Sequence, residues 1–184
     1  MRHLLSPIDR RNYSWLFKGV IFYIINIFSQ NICREYGESA QVLLRVPGRV
    51  NIIGEHIDYC GYAVHPMAIE QDMLVAGARD PSGKLSLTNT DVKYARYEQD
   101  SLAELTIPAD QPQWWAYFLC GLKGVLEERG LSGLGGVKLL VSGVIPPSAG
   151  LSSSSALVVS AALLAVWEQQ IQIGKEDLAN LCAR

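Results

Sequence analysis

The sequence is poor in the residues that build metal centres, covalent staples and polyanion-binding faces. It has three histidines and four cysteines in 184 residues. Cys33, Cys60, Cys120 and Cys182 stand far apart, with no Cys-x-x-Cys pair, which argues against a disulfide framework and against a zinc site. Free thiols fit a reducing compartment, and the cytoplasm is the expected location. An excess of charge of one sign is also missing. Sixteen basic residues face 18 acidic ones, a net charge of −2, so no nucleic-acid partner is expected. Residues 15–28 are apolar apart from Lys18 and Asn26, but the run falls short of the ~20 residues that span a bilayer. The polar stretch after it holds no small-residue cleavage site. The expected reading is an N-terminal helix packed by its apolar side and ending near Gly37, with no membrane partner. Repeats, low-complexity tracts and linkers are absent as well. What is present is 49% apolar residues, enough for one domain and its core.

The most informative stretch is Ile145-Pro146-Pro147-Ser148-Ala149-Gly150-Leu151-Ser152-Ser153-Ser154-Ser155-Ala156. The apolar residues 137–145 lead into it and predict a buried strand. Two prolines end that strand, because proline cannot donate to a ladder. Residues 156–167 are too long and too rich in alanine and leucine for a strand, and predict a buried helix opening at the serines. A strand, a loop of small residues and a helix N-terminus together make an anion site, since the first turn offers unpaired N–H groups and the positive dipole end. The hydroxyls add hydrogen bonds, or a ligand for a phosphate-bound magnesium ion. The loop is not a Walker A motif, because no Gly-Lys-Ser/Thr follows Gly150. Four serines alone fit a plain helix cap equally well.

A second stretch belongs with the first. Arg49, Asn51, Glu55, His56 and Asp58 fall within ten residues, between Gly48 and Gly61, interrupted by Val50, Ile52 and Ile53. Donors and acceptors gathered on a glycine-bounded loop suit a polyhydroxylated ligand, since each hydroxyl donates and accepts. An arginine beside them suits a phosphoryl group or a developing oxyanion. Taken singly, each has a structural role open to it: a core histidine, a carboxylate capping a turn, a surface ion pair.

The remaining pattern predicts strands at 42–46, stopped by Pro47-Gly48, and at 72–79. Residues 63–70 contain Pro66 and are at most an edge strand or a loop. Asp80-Pro81-Ser82-Gly83 is a turn signal, and the alternation over 85–90 suggests that it closes a hairpin. A further strand is expected at 94–98. Helical spacing over 113–129 with Gly130 as C-cap predicts a helix. Trp114 and Trp115 suit either adenine stacking or the core. A last helix begins at 175–182.

Residues 47–59, Pro-Gly-Arg-Val-Asn-Ile-Ile-Gly-Glu-His-Ile-Asp-Tyr, resemble the galactokinase signature of the GHMP kinase superfamily. Residues 146–156 resemble that superfamily's Gly-Leu-Ser-Ser-Ser phosphate loop. The resemblance runs from about Leu44 to Arg184, and the wording at 57–62, 66–72 and 117–124 is most similar to the N-acetylgalactosamine kinases. It implies an α+β fold of the ribosomal-protein-S5-like type: an atypical segment at 1–40, then an incomplete GHMP N-terminal domain at 41–184. It implies transfer of the γ-phosphoryl of ATP, with Mg2+, to the anomeric hydroxyl of N-acetylgalactosamine or galactose, by a monomer. By motif position, Arg49 would sit at the transferred phosphoryl as catalytic and substrate-binding residue. Glu55, His56 and Asp58 would bind sugar hydroxyls, and Ser148, Gly150, Ser152, Ser153 and Ser154 would bind ATP, with Ser154 also at the metal. The family's catalytic aspartate and C-terminal domain would follow Arg184, so the chain is expected to be the inactive N-terminal part of a kinase. A non-catalytic sugar- and nucleotide-binding regulator is the alternative.

Overall fold

The computed structural model describes residues 15–54, 57, 60–102, 105–108 and 113–183, except the side chains of 15–25. The elements run α1 (Trp15–Tyr36), β1 (Val42–Ile53), β2 (His65–Asp80), β3 (Leu85–Asn89), β4 (Tyr97–Gln99), α2 (Trp114–Arg129), β5 (Gly136–Gly143), α3 (Ser153–Glu168) and α4 (Lys175–Ala183). The fold is thus α+β, as expected. Five strands form one sheet in the order β1-β2-β5-β3-β4. Every pair is antiparallel except β3 with β5.

The period-two alternation of the central strands decides which layer each residue joins. Val137, Leu139 and Val141 of β5 face a core shared with Phe118, Leu119 and Leu122 of α2 and with Ala161, Leu164 and Ala165 of α3. Leu140 faces the other way and meets Ala76, Ala78, and Phe28 and Ile32 of α1. The sheet therefore lies between α1 on one side and α2 and α3 on the other. Fully burying a leucine or phenylalanine contributes about 1.5–3 kcal/mol, and many of these side chains are at 0% exposure.

The helix ends follow the cap chemistry. Gly37 is left-handed and its N–H donates to Cys33 at 2.8 Å. Gly130 is left-handed after α2, with Gly130 N donating to Glu127 O at 3.2 Å and Leu131 N to Leu126 O at 2.9 Å, which is a Schellman cap. The Tyr36 hydroxyl fixes the end of α1 to the sheet. It shares a hydrogen bond of 2.8 Å with Thr88 Oγ1 and donates to Leu139 O at 3.1 Å.

Three expectations are corrected. Pro47-Gly48 does not stop β1, which continues to Ile53 through an irregularity in register between Pro47 and Arg49. β1 is an edge strand, so the missing N–H of Pro47 breaks no second ladder. Arg49, Asn51, Ile52 and Ile53 accordingly lie on a strand and not on a loop. Residues 65–80 form one strand of 16 residues, Pro66 included. β5 reaches only Met73–Asp80 of it, so Pro66 also has a free side. Lastly, β2 and β3 do not form a hairpin. The turn Asp80–Gly83 exists, but β5 enters between the two strands and pairs with both. Gly136 makes this possible, because a Cβ there would stand 2.3 Å from Asp80 O and 2.7 Å from Gly83 Cα.

Candidate functional site

Gly48 stands at the irregularity in β1, where a Cβ would meet Leu151 O at 2.8 Å and Ile69 Cδ1 at 2.9 Å. Only glycine lets the strand come this near. One residue on, the Arg49 amide donates to Leu151 O at 3.2 Å. The first motif is thereby bonded, backbone to backbone, to the second. Pairing is regular from Arg49 to Asn51, opposite Ala68, Met67 and Pro66. Arg49 and Asn51 therefore share one face of β1 and Val50 takes the other. Arg49 is half-buried and Asn51 is buried. Gly54 has φ 97° and lies against Val64, which a Cβ would meet at 2.6 Å. Glu55, His56 and Asp58 lie outside the described residues.

The serine loop begins where β5 ends. Val144 N donates to Asp72 O at 3.0 Å and Ile145 is buried beneath the loop. Residues 146–150 are exposed. Every second residue is then left-handed: Ser148 at φ 57°, Gly150 at 70° and Ser152 at 62°. Left-handed residues in turns are a component of the nests in which backbone N–H groups bind anions. Ser152 is the N-cap of α3, yet its hydroxyl makes no capping bond. α3 carries no acidic residue in its first turn, so nothing there neutralises the positive end of the dipole. Ser152, Ser153 and Ser154 are half-buried. Ser148 and Gly150 lie on the loop, Ser152 caps α3, and Ser153 and Ser154 open its first turn; the Arg49 backbone is bonded to the same loop at Leu151.

This donor set fits a polyphosphate: backbone N–H groups and hydroxyls, with no carboxylate of the loop in the way. Among the described residues no group of three or more histidine, cysteine or acidic side chains could hold a metal ion. A magnesium ion carried by the phosphates would find the hydroxyl of Ser154 among the polar groups at the loop. The tryptophans are engaged elsewhere. Trp115 stacks on Tyr97 at 4.1 Å between ring centroids, and Trp114 Nε1 donates to Ala95 O at 2.8 Å. Both pack against the core.

Two features of the candidate site escaped the sequence reading. The joint at Gly48 and Leu151 is made by backbone, which carries no residue signature. Asn51 stood in the motif, but its burial is a tertiary fact. Its signal was a polar residue set among Val50, Ile52 and Ile53.

Comparison with known proteins bears directly on these two motifs. Residues 33–79 match the galactokinase galactose-binding signature, and residues 116–184 match the GHMP kinases N terminal domain. The galactokinase of Candida maltosa is 38% identical over 149 residues, covering 79% of this chain and 70% of that protein. The galactokinase of Saccharomyces cerevisiae is 38% identical over 146 residues, covering 71% of this chain. The chain spans 27% of that relative and 30% of the galactokinase of Dictyostelium discoideum. Among solved structures, Lactococcus lactis galactokinase complexed with galactose superposes with a TM-score of 0.72 at 24% identity, over 86% of this chain and 41% of that one. Methanococcus jannaschii mevalonate kinase gives 0.65 at 21% identity, over 77% and 44%. The two structures share the fold, and no helix among the described residues is long and apolar enough to cross a membrane. With both signatures matched, in order, on one sheet-and-helix scaffold, the chain belongs to the galactokinase family of GHMP kinases.

Proposed function

We propose that the protein transfers the γ-phosphoryl group of ATP to the anomeric hydroxyl of a galactose-type sugar. The observation that carries this reading is the hydrogen bond from Arg49 N to Leu151 O. It supports the reading because it joins the backbone of the motif that carries Arg49 to the serine loop. Residues 41–184 supply the nucleotide loop and the sugar motif of one N-terminal domain.

In this reading the loop around Ser148, Gly150, Ser152 and Ser153 holds the nucleotide phosphates with N–H groups and hydroxyls. Ser154 offers a hydroxyl to magnesium, which neutralises phosphate charge when bound. Arg49 is aimed at the charge that grows on the transferred group, and Glu55, His56 and Asp58 bind sugar hydroxyls. Phosphoryl transfer asks for little beyond positioning and charge stabilisation. The wording at residues 57–62 favours N-acetylgalactosamine over galactose as the preferred acceptor.

The test is a coupled assay of ADP release by the full-length protein, with N-acetylgalactosamine, galactose, mevalonate and homoserine as acceptors. Turnover is expected with the two sugars, N-acetylgalactosamine first. Turnover with mevalonate or homoserine and none with either sugar would overturn the assignment. Binding of sugar and ATP without turnover would favour a regulator instead.

A further inference from the structure

Asn51 holds a buried carboxamide with nothing to bond. The residue is 7% exposed, and neither its Nδ2 nor its Oδ1 has a hydrogen-bond partner. Among the described residues no other buried side-chain nitrogen or oxygen is left in this state. Buried polar groups are nearly always paired, because one that is not has given up its water for nothing. An orphan of this kind in a native fold calls for a missing partner.

Its location says what kind of partner. Asn51 is two residues from Arg49, on the same face of β1. Opposite it stands Pro66, which has no N–H to offer. Immediately after it the pairing of β1 with β2 becomes irregular, between Asn51 and Ile53. Irregularities of this type re-aim side chains and open a ladder beside active sites. The amide thus belongs to the residue two along from the arginine, next to an irregularity in the strand pairing.

We infer that the Asn51 carboxamide reads a hydroxyl of the sugar acceptor. This rests on the sugar-kinase reading and deepens it. The two orphan atoms are one donor and one acceptor, so what meets them must offer both an acceptor and a donor. A phosphoryl oxygen only accepts and would leave Oδ1 unmet. A hydroxyl satisfies both, accepting from Nδ2 and donating to Oδ1. Asn51 is in this account a binding and specificity residue. A sugar lacking that hydroxyl would leave the amide buried and unpaired, and sites built this way reject such analogues strongly.

The experiment compares full-length wild type with Asn51→Leu, which keeps the shape and removes both polar atoms. Affinities for galactose, its 2-, 3-, 4- and 6-deoxy derivatives and MgATP are measured by calorimetry, together with the ligand-free Tm. Galactose affinity is expected to fall by about tenfold or more, the loss of a well-made hydrogen-bond pair. MgATP affinity should stay within about twofold, and the Tm should hold or rise, since an unmet buried group has been removed. One deoxy sugar should bind wild type weakly and lose little further in Asn51→Leu, the non-additivity that marks two groups in contact. Unchanged galactose affinity, or a matched loss of galactose and MgATP affinity with a lower Tm, would overturn the inference. Should the leucine variant not fold, Asn51→Asp, which keeps the acceptor and loses the donor, is read by the same criteria. Failure of wild type to bind any of these sugars would defeat the kinase reading itself, and this inference with it.

Discussion

Gly48 lies so close to the carbonyl of Leu151 that a Cβ in place of its hydrogen would stand 2.8 Å from that oxygen. The neighbour is backbone, fixed by the hydrogen bond from Arg49 N, so it cannot turn aside. Gly48→Ala is expected to separate β1 from the serine loop, at a cost of about 1–3 kcal/mol. A lower Tm together with a raised KM for both sugar and ATP is the expected pattern. Wild-type kinetics in this variant would mean that the joint does not hold the two motifs in place.

Arg49→Ala is expected to lower kcat by about 10²–10³, with a smaller effect on the sugar Kd. An arginine directed at developing charge acts mainly in the transition state. Steady-state kinetics beside equilibrium binding make the comparison. A rise in KM alone would mark Arg49 as a ground-state binder.

Ser152 has φ 62° and its hydroxyl makes no capping bond. Left-handed backbone costs a residue with a Cβ roughly 1–2 kcal/mol. Ser152→Gly should therefore leave the fold as stable as wild type or up to about 1 kcal/mol more so. The same change should raise the KM for MgATP severalfold, if the hydroxyl serves phosphate. A thermal melt and an ATP titration of one variant test both halves, and a fall in Tm would show the hydroxyl serving the fold.

Two glycines of α2 are expected to respond oppositely. A Cβ on Gly121 would stand 2.2 Å from Val158 O and 2.8 Å from Ala161 Cβ, whereas one on Gly124 would meet nothing nearer than Leu181 Cδ2 at 3.6 Å. Gly121→Ala should drive α2 from α3 and destabilise by about 1–3 kcal/mol or more. Gly124→Ala should stabilise by about 0.5–1 kcal/mol through helix propensity. Urea denaturation of the pair reads both signs.

Burial raises the Tyr36 hydroxyl above its ordinary value of 10.0, against a lowering by its bond to Thr88. The folded state therefore keeps the proton longer than the unfolded chain. The stabilisation is fully present below pH 10 and is lost as pH rises through the higher folded value. Tyr36→Phe should cost about 0.5–1.5 kcal/mol at pH 7 through the lost hydrogen bonds. It should also flatten the decline above pH 10, although burial raises Tyr97 in the same sense. Denaturation midpoints of both proteins from pH 7 to 11 would show it, and identical slopes above pH 10 would exclude the tyrosine as the source.

What could be read from the sequence was what local chemistry decides. β5, α2 and α3 are contiguous apolar segments with a proline pair, a capping glycine or a serine run at their ends, and they stand where the pattern put them. The serine loop was legible for the same reason. The extents of β1 and β2 were not, because Pro47 and Pro66 stop a strand only where both of its sides are paired. Whether a side is paired depends on segments far away in the chain. The apparent hairpin around Asp80 failed on the same ground. Nothing near residues 80–85 announces that Gly136 will enter between the two strands.

The insertion of β5 between β2 and β3 also sets an order in time. On the ribosome β2 can pair with β1 and β3 with β4 early, but Met73 must wait for Gly143 and Leu85 for Val137 before the second edge of either strand is closed. Until then Val75, Ala76 and Ala78, buried in the finished sheet, lie on a strand with an open edge. Contacts this distant in sequence slow folding and lengthen the exposure of sticky edges. Substitutions in β5 should therefore lower the yield of folded protein from synthesis more than their effect on the stability of the finished domain would suggest.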